Sequence, residues 1–177
     1  MTDTPLQRAI DALSIRDVFI VQSESWLADE FEPQYSPGIE HMEVAWKHNV
    51  MQSQVATLEA DTGETQLLFR VMVELGMRLN IPASSNGTSL PEVPDKAADE
   101  PLVCACVEAR FVAEYAMQED FEEEAKRAFA LNNASYHIWP YWREYLMSQC
   151  TRMNLPKVTV PAVQFSRNAE RDARSRN

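Results

Sequence analysis

Glycine is scarce in this sequence: four in 177 residues, each standing alone. That excludes a P-loop and a G-x-G-x-x-G turn, because phosphate-cradling loops need several glycines at fixed spacing. No G-x-S-x-G nucleophile elbow is present either. Histidine is equally thin. His41, His48 and His137 are scattered, and His48, beside Trp46 in a strand-like segment, reads as a packed surface residue rather than a base. The three cysteines are odd in number. Cys104-Ala-Cys106 is too close for two ligands of a four-ligand metal site and has no histidine near it, so buried reduced thiols and no metal are expected. No stretch approaches the ~20 apolar residues of a membrane span. The opening MTDTPLQRAIDALSIRD lacks the basic start and apolar run of a signal peptide, which makes the cytoplasm the expected location. Cations are in deficit too: 16 Lys and Arg against 27 Asp and Glu leave −11 at pH 7. Nucleic acid and anionic membrane are poor partners for such a body, since phosphate contacts need clustered cations. A basic partner surface, or solubility alone, fits the charge.

Patterned apolar residues are what the chain does have. Residues 1–16 read as an N-terminal arm, either a short amphipathic helix with Leu6, Ile10 and Leu13 on one side or a frayed terminus. Asp17 to Ala28 has strand composition, and a breaker-rich loop with Pro33, Pro37 and Gly38 follows. Glu40 to Glu59 is a second extended segment, with Val44, Trp46, His48 and Val50 on one face and Lys47, Asn49 and Ser53 on the other. A turn at Ala60 to Gly63 leads into a strict alternation, Leu67, Phe69, Val71, Val73, Leu75, Met77 and Leu79. Residues 81–101 are proline-rich, a flexible loop or a lid. Leu102 to Met117 returns as a fourth strand, with alanines spaced along one face that let a helix lie close.

Asp120 and Glu123 stand at capping-box spacing before a helix that ends near Leu131 to Asn133. A longer helix then places Ile138, Trp142, Tyr145, Leu146, Gln149 and Met153 on one face. Pro156 stops it, and Val158, Val160, Val163 and Phe165 form an extended strip. The fold class that follows is α+β, a four-stranded antiparallel sheet with a long helix packed on one face. The domain spans 17–165 and a polar tail, expected to be disordered, spans 166–177. Glu122 to Glu124 read as a helix start rather than paired catalytic carboxylates, and nothing in the chain argues for an enzyme.

The run Pro140-Tyr141-x-Arg143-Glu144, followed by Arg152, Pro156, Pro161 and Phe165, resembles the long helix and following segment of the SecB export chaperones. The family has Ala-Pro where this chain has Pro161-Ala162. The order strand, aromatic crossover loop, three strands, helix is similar too, as is a cysteine third in the fourth strand, so the resemblance spans Asp17 to Phe165. It implies an ATP-independent holdase that binds unfolded polypeptide, has no cofactor, and works as a homotetramer, a dimer of dimers. It places client binding on the crossover loop and neighbouring strands: Trp26, Phe31, Tyr35, Ile39 and Trp46. Those rings line a groove, or they pin the loop to the sheet.

An oligomer interface is expected at Cys104, Cys106 and Glu108, whose strand face is apolar at one end, and at Tyr141 and Met147 on the back of the helix. Two departures from the family stand out. SRNAERDARSRN replaces its second C-terminal helix, and the 81–101 loop replaces a tight turn. Both point away from ordinary export with the motor SecA and toward SecB-like chaperones that guard a co-encoded antitoxin. The rival of a different class is a small-molecule-binding α+β domain with a cone-shaped pocket; a purely structural oligomer is a third reading.

Overall fold

Strict alternation in β3 (Thr65–Ile81) and β4 (Leu102–Met117) gives two strands with one wholly apolar face each, and these form the middle of the sheet. The computed structural model describes residues 4–36, 38–59, 63–82 and 101–160. Phe165, Pro161, the 166–177 tail and most of the 81–101 loop lie outside them. β1 (Leu13–Leu27) pairs with β4 and β2 (Glu43–Glu59) with β3, so the order is β1-β4-β3-β2 and every pair is antiparallel. The four-stranded α+β expectation holds. Gly63 takes φ +82, the left-handed turn conformation that glycine adopts without cost.

The N-terminal arm is a helix, α1 (Pro5–Ala12). The Thr4 hydroxyl accepts from the Gln7 N–H at 3.2 Å, Pro5 stands at the first turn, and Ala9 is fully buried. The chain passes straight from α1 into β1, which therefore begins four residues before the expected Asp17.

α2 (Glu123–Phe129) starts without the expected capping box. The helix begins three residues after Asp120, with Glu122 at its N-cap, and both expected capping carboxylates bind Lys126 instead. Lys126 is 3% exposed, and its ammonium meets Asp120 at 2.7 Å and Glu123 at 2.5 Å. A buried cation left unpaired is costly, so it recruits both carboxylates that capping would have used. Nor does the helix stop at Leu131. A π turn, Ala130–Ala134, carries it into α3 (Ser135–Arg152), and the Asn132 amide donates to the Ala128 carbonyl at 2.7 Å.

α3 buries Ser135, Ile138, Trp142, Leu146 and Cys150, spaced by three and then four, against the apolar face of β3 and β4. Ala105, Ala109 and Ala113 make room for the helix, and Phe111 meets Trp142 edge-on at 6.4 Å. The helix runs diagonally. Ser135 Oγ lies 2.7 Å from His48 Nε2 of β2, and near the other end Gln149 accepts from Ser25 of β1 at 3.4 Å. The stop comes before Pro156: Asn154 takes φ +53 and the Leu155 N–H donates to the Cys150 carbonyl at 2.9 Å. Val158, expected in the extended strip, is buried against the same core.

Candidate functional site

Residues opposite one another in register share a face of the sheet, which sorts the five expected client-binding residues. Trp46 lies opposite Met77, a residue of the helix-side core. Trp26 lies opposite Cys106, on the other face. The two indoles, both exposed, therefore cannot line one groove within a subunit. Residues 28–42 cross from β1 to β2, anchored by the Ala28 N–H on the Cys104 carbonyl (2.9 Å) and by Gln34 on Asn154 (2.8 Å). Phe31 packs against the core and holds this crossover down, whereas Tyr35 is 80% exposed and holds nothing. Ile39 is half-buried beside Gly38, whose φ of +85 favours glycine.

The diagonal of α3 leaves β2 half covered. Val50 packs into the core, but Val44 and Trp46 remain exposed on the helix side, next to the partly buried Met42 at the end of the crossover. This strip of Val44, Trp46, Met42 and Ile39 is where the structure brings client-binding candidates together. A register shift between Val50 and Gln52 then turns Ser53 to the helix side, opposite Val71, against the sequence expectation. Val55 follows Ser53 onto that side and is exposed.

The outer face of the sheet carries a ladder of ion pairs. Lys47 reaches Glu74 at 3.0 Å and Glu108 at 2.8 Å; Arg78 holds Glu108 at 2.8 Å, Arg110 holds Glu74 at 3.0 Å, and Arg70 holds Glu114 at 2.7 Å. The Lys47 side chain crosses β3 at Gly76, where an added Cβ would stand 2.9 Å from Glu108 Cγ and 3.1 Å from Lys47 Cβ. Hydrogen bonding from Lys47 holds the Glu74 carboxyl below the ordinary value. Burial pulls Glu108 up, and its bonds to Lys47 and Arg78 more than reverse this.

Two of the expected interface residues need no second subunit. Cys104 and Cys106 are 1% and 2% exposed in the single chain, because Trp26 and the neighbouring strands already cover that end of the face. Glu108, also expected there, is committed to the ladder. Tyr141 and Met147 do stand exposed on the back of α3. Among the motif residues Pro140, Arg143, Glu144, Arg152 and Pro156 are exposed as well. Pro140 is the sixth residue of α3, since the helix begins at Ser135.

Burial raises all three thiols above their ordinary value, which disfavours the reactive thiolate. Tyr115 and His137 share a hydrogen bond of 2.9 Å among aromatic rings, where burial raises the phenol and lowers the imidazole. No group of three or more metal-binding side chains occurs among the described residues. The cone-shaped pocket of the rival reading finds little support, because α3 fills the apolar face of the sheet. A cavity of about 460 Å³ lies instead at the far end, between polar side chains of Asp11, Ser14, Gln66, Gln118 and Glu119. Small-molecule sites are mostly apolar with a few placed polar groups. No helix among the described residues is long and apolar enough to cross a membrane.

No protein-family model matches the chain, and no curated protein matches it in sequence. Among solved structures it is similar to the Mycobacterium tuberculosis SecB-like chaperone in complex with a ChAD peptide from the HigA1 antitoxin. The TM-score is 0.55 at 17% identity, covering 90% of this chain and 96% of that one. The likeness is one of fold, and it is the SecB-like fold.

Proposed function

We propose that this chain, carrying the SecB-like fold, is a chaperone that holds unfolded or aggregation-prone polypeptide without nucleotide. The observation that carries the reading is the half-covered strip on β2, where Val44 and Trp46 stand exposed beside Met42 and Ile39. Burying such a strip gains ~25 cal/mol per Å² and demands no defined sequence in the client. Trp26 belongs to a separate surface on the other face of the sheet, and Tyr35 is a second contact on the crossover. The likeness to a chaperone holding an antitoxin peptide favours a co-encoded antitoxin as client over service to SecA. The cytoplasm is the compartment this implies.

The working unit is a homotetramer, a dimer of dimers. β1 supports it: Ile15, Phe19, Ile20, Val21 and Trp26 are all exposed along one edge strand, more apolar surface than a solitary subunit tolerates well. Tyr141 and Met147 offer a second contact on the back of α3. Light scattering at micromolar concentration should return four subunits, and a monomer would overturn the assembly. The functional test is aggregation of a diluted, chemically unfolded model protein with and without a stoichiometric amount of this chain. Suppressed aggregation that needs no ATP is expected. If the model protein is not protected and a co-expressed antitoxin gains no solubility, the chaperone reading is wrong.

A further inference from the structure

Cations are unevenly shared out along this chain. Residues 17–46 hold seven Asp and Glu and no Lys or Arg. Five of those acids, Asp29, Glu30, Glu32, Glu40 and Glu43, are exposed on the crossover and at the start of β2. Among the described residues Glu40 meets only His41, at 3.7 Å, and the other four meet no cation. The acidic run from Glu119 to Glu124 has cations of its own, Arg8 on Glu122 and Lys126 on Asp120 and Glu123. The ladder likewise satisfies Glu74, Glu108 and Glu114. Residues 166–177 are the converse, four arginines against two acids in a chain of −11. We propose that residues 166–177 occupy the exposed strip of Tyr35, Ile39, Met42, Val44 and Trp46, from which a client displaces them. This rests on the polypeptide-binding reading above and adds how access to that site is governed.

Placement commits the strip to this occupant. Beyond α3, Asn154 accepts from Gln34 of the crossover at 2.8 Å, and Leu155, Val158 and Val160 pack against the helix-side core. The chain is thereby tied down beside the crossover as far as Val160. Six residues separate Val160 from Asn154, at most about 21 Å, and Arg167 follows seven residues later, with a reach of about 23 Å. The first arginine can therefore return to the crossover, and the later three have more chain to do so.

Chemistry points the same way. A guanidinium pairs with carboxylates and also stacks on the faces of Tyr and Trp. The strip offers both: Tyr35, 80% exposed, stands between Glu32 and Glu40 in the chain, and the exposed Trp46 follows Glu43 by three residues. Tethering supplies the strength, because a short linker sets an effective concentration of about a millimolar, enough to populate a weak contact. Exposed ion pairs are individually weak, so the cover yields to a client that brings more apolar area.

The test leaves the folded body untouched. A photoreactive amino acid in place of Ala173 of the full chain, with mass spectrometry of the products, reads where the segment lies. Cross-links to residues 28–46 are expected at about 50 mM salt and should be lost at about 500 mM, where screening is much stronger. Cross-links to residues 119–124, or none within the chain, would overturn the placement. An isotope-labelled copy without the photoreactive group is then mixed in. Products that join unlabelled to labelled chains would assign the strip to a neighbour's segment and overturn the proposal. For regulation, a variant carrying Arg167→Ser, Arg171→Ser, Arg174→Ser and Arg176→Ser is compared with the parent. The probe is a labelled, uncharged, unfolded peptide rich in leucine and tyrosine. The variant should bind it about threefold more tightly at low salt, because the strip is no longer partly occupied, and like the parent at high salt. Equal or weaker binding at low salt would overturn the competition. Failure of both chains to bind the peptide would overturn the polypeptide-binding reading instead, and the cross-links would still place the segment.

Discussion

The two faces of β3 and β4 are both buried, by opposite means. On the helix side Phe111, Tyr115 and Leu75 pack with Trp142, Ile138 and Leu146 in one apolar core, held mainly by dispersion and water release, with the Tyr115–His137 hydrogen bond set into it. On the outer side Glu74 and Glu114 are 8% and 6% exposed with no helix of the described residues above them, covered by the arms of the cations they hold. Long cationic side chains thus serve as a roof, their stems lying on the sheet and their heads on carboxylates. The difference teaches where the fold is rigid and where it responds to solution conditions. Apolar packing is indifferent to pH; the ladder and the Tyr115–His137 pair are not.

Breaking the helix side should cost most. Trp142→Ala removes the largest fully buried side chain and should destabilise the subunit by about 3–5 kcal/mol, read by urea unfolding. A loss under about 1 kcal/mol would mean that α3 is not the keystone of the core. On the outer side Glu108→Gln should cost less, about 1–2 kcal/mol at pH 7, because Lys47 and Arg78 lose a charged acceptor but stay near water.

The same variant sharpens the contrast through pH. His137 sits below its ordinary 6.5 in the folded state, so stability declines as pH falls below that value and the unfolded chain takes up the proton. Glu74 and Glu108 sit below 4.5, so their contribution is complete above 4.5 and is lost as pH falls through their folded values. Stability measured from pH 8 to pH 3 should therefore fall in two steps, and Glu108→Gln should shrink only the lower one. Gly76→Ala tests the crossing of Lys47 over β3. The new Cβ forces Glu108 and Lys47 to shift, for a loss of about 1 kcal/mol that should shrink in a Glu108→Ala background, which lacks the crowded Cγ. The smallest effects on stability should come from the exposed indoles, within about 1 kcal/mol each. Their functional effects should differ: Trp46→Ser weakens protection of an unfolded client, and Trp26→Ser leaves client binding intact while loosening the assembly.

Much of this molecule could be read in one dimension. The alternation of Leu67 to Leu79 and of Val103 to Met117 requires two half-buried strands, and the spacing of Ile138, Trp142 and Leu146 requires a helix with one buried face. Both follow from side-chain periodicity, which is local. Less of the candidate site was legible. Val44 and Trp46 share a face on any reading, but their exposure depends on how far α3 reaches across β2. The signal for Ser53 was misleading, since a bulge at Met51 reverses the faces and leaves no mark in composition.

The sequence by itself determined four strands, their apolar faces and the long helix, because each depends on residue type and spacing along the chain. Only the tertiary structure decided that Trp26 and Trp46 lie on opposite faces, that Cys104 and Cys106 are covered without a partner, and that three carboxylates are roofed by cations from neighbouring strands. Those outcomes rest on strand order and register. They pair residues as far apart as Lys47 and Glu108, and no local pattern records which strand will become the neighbour of which.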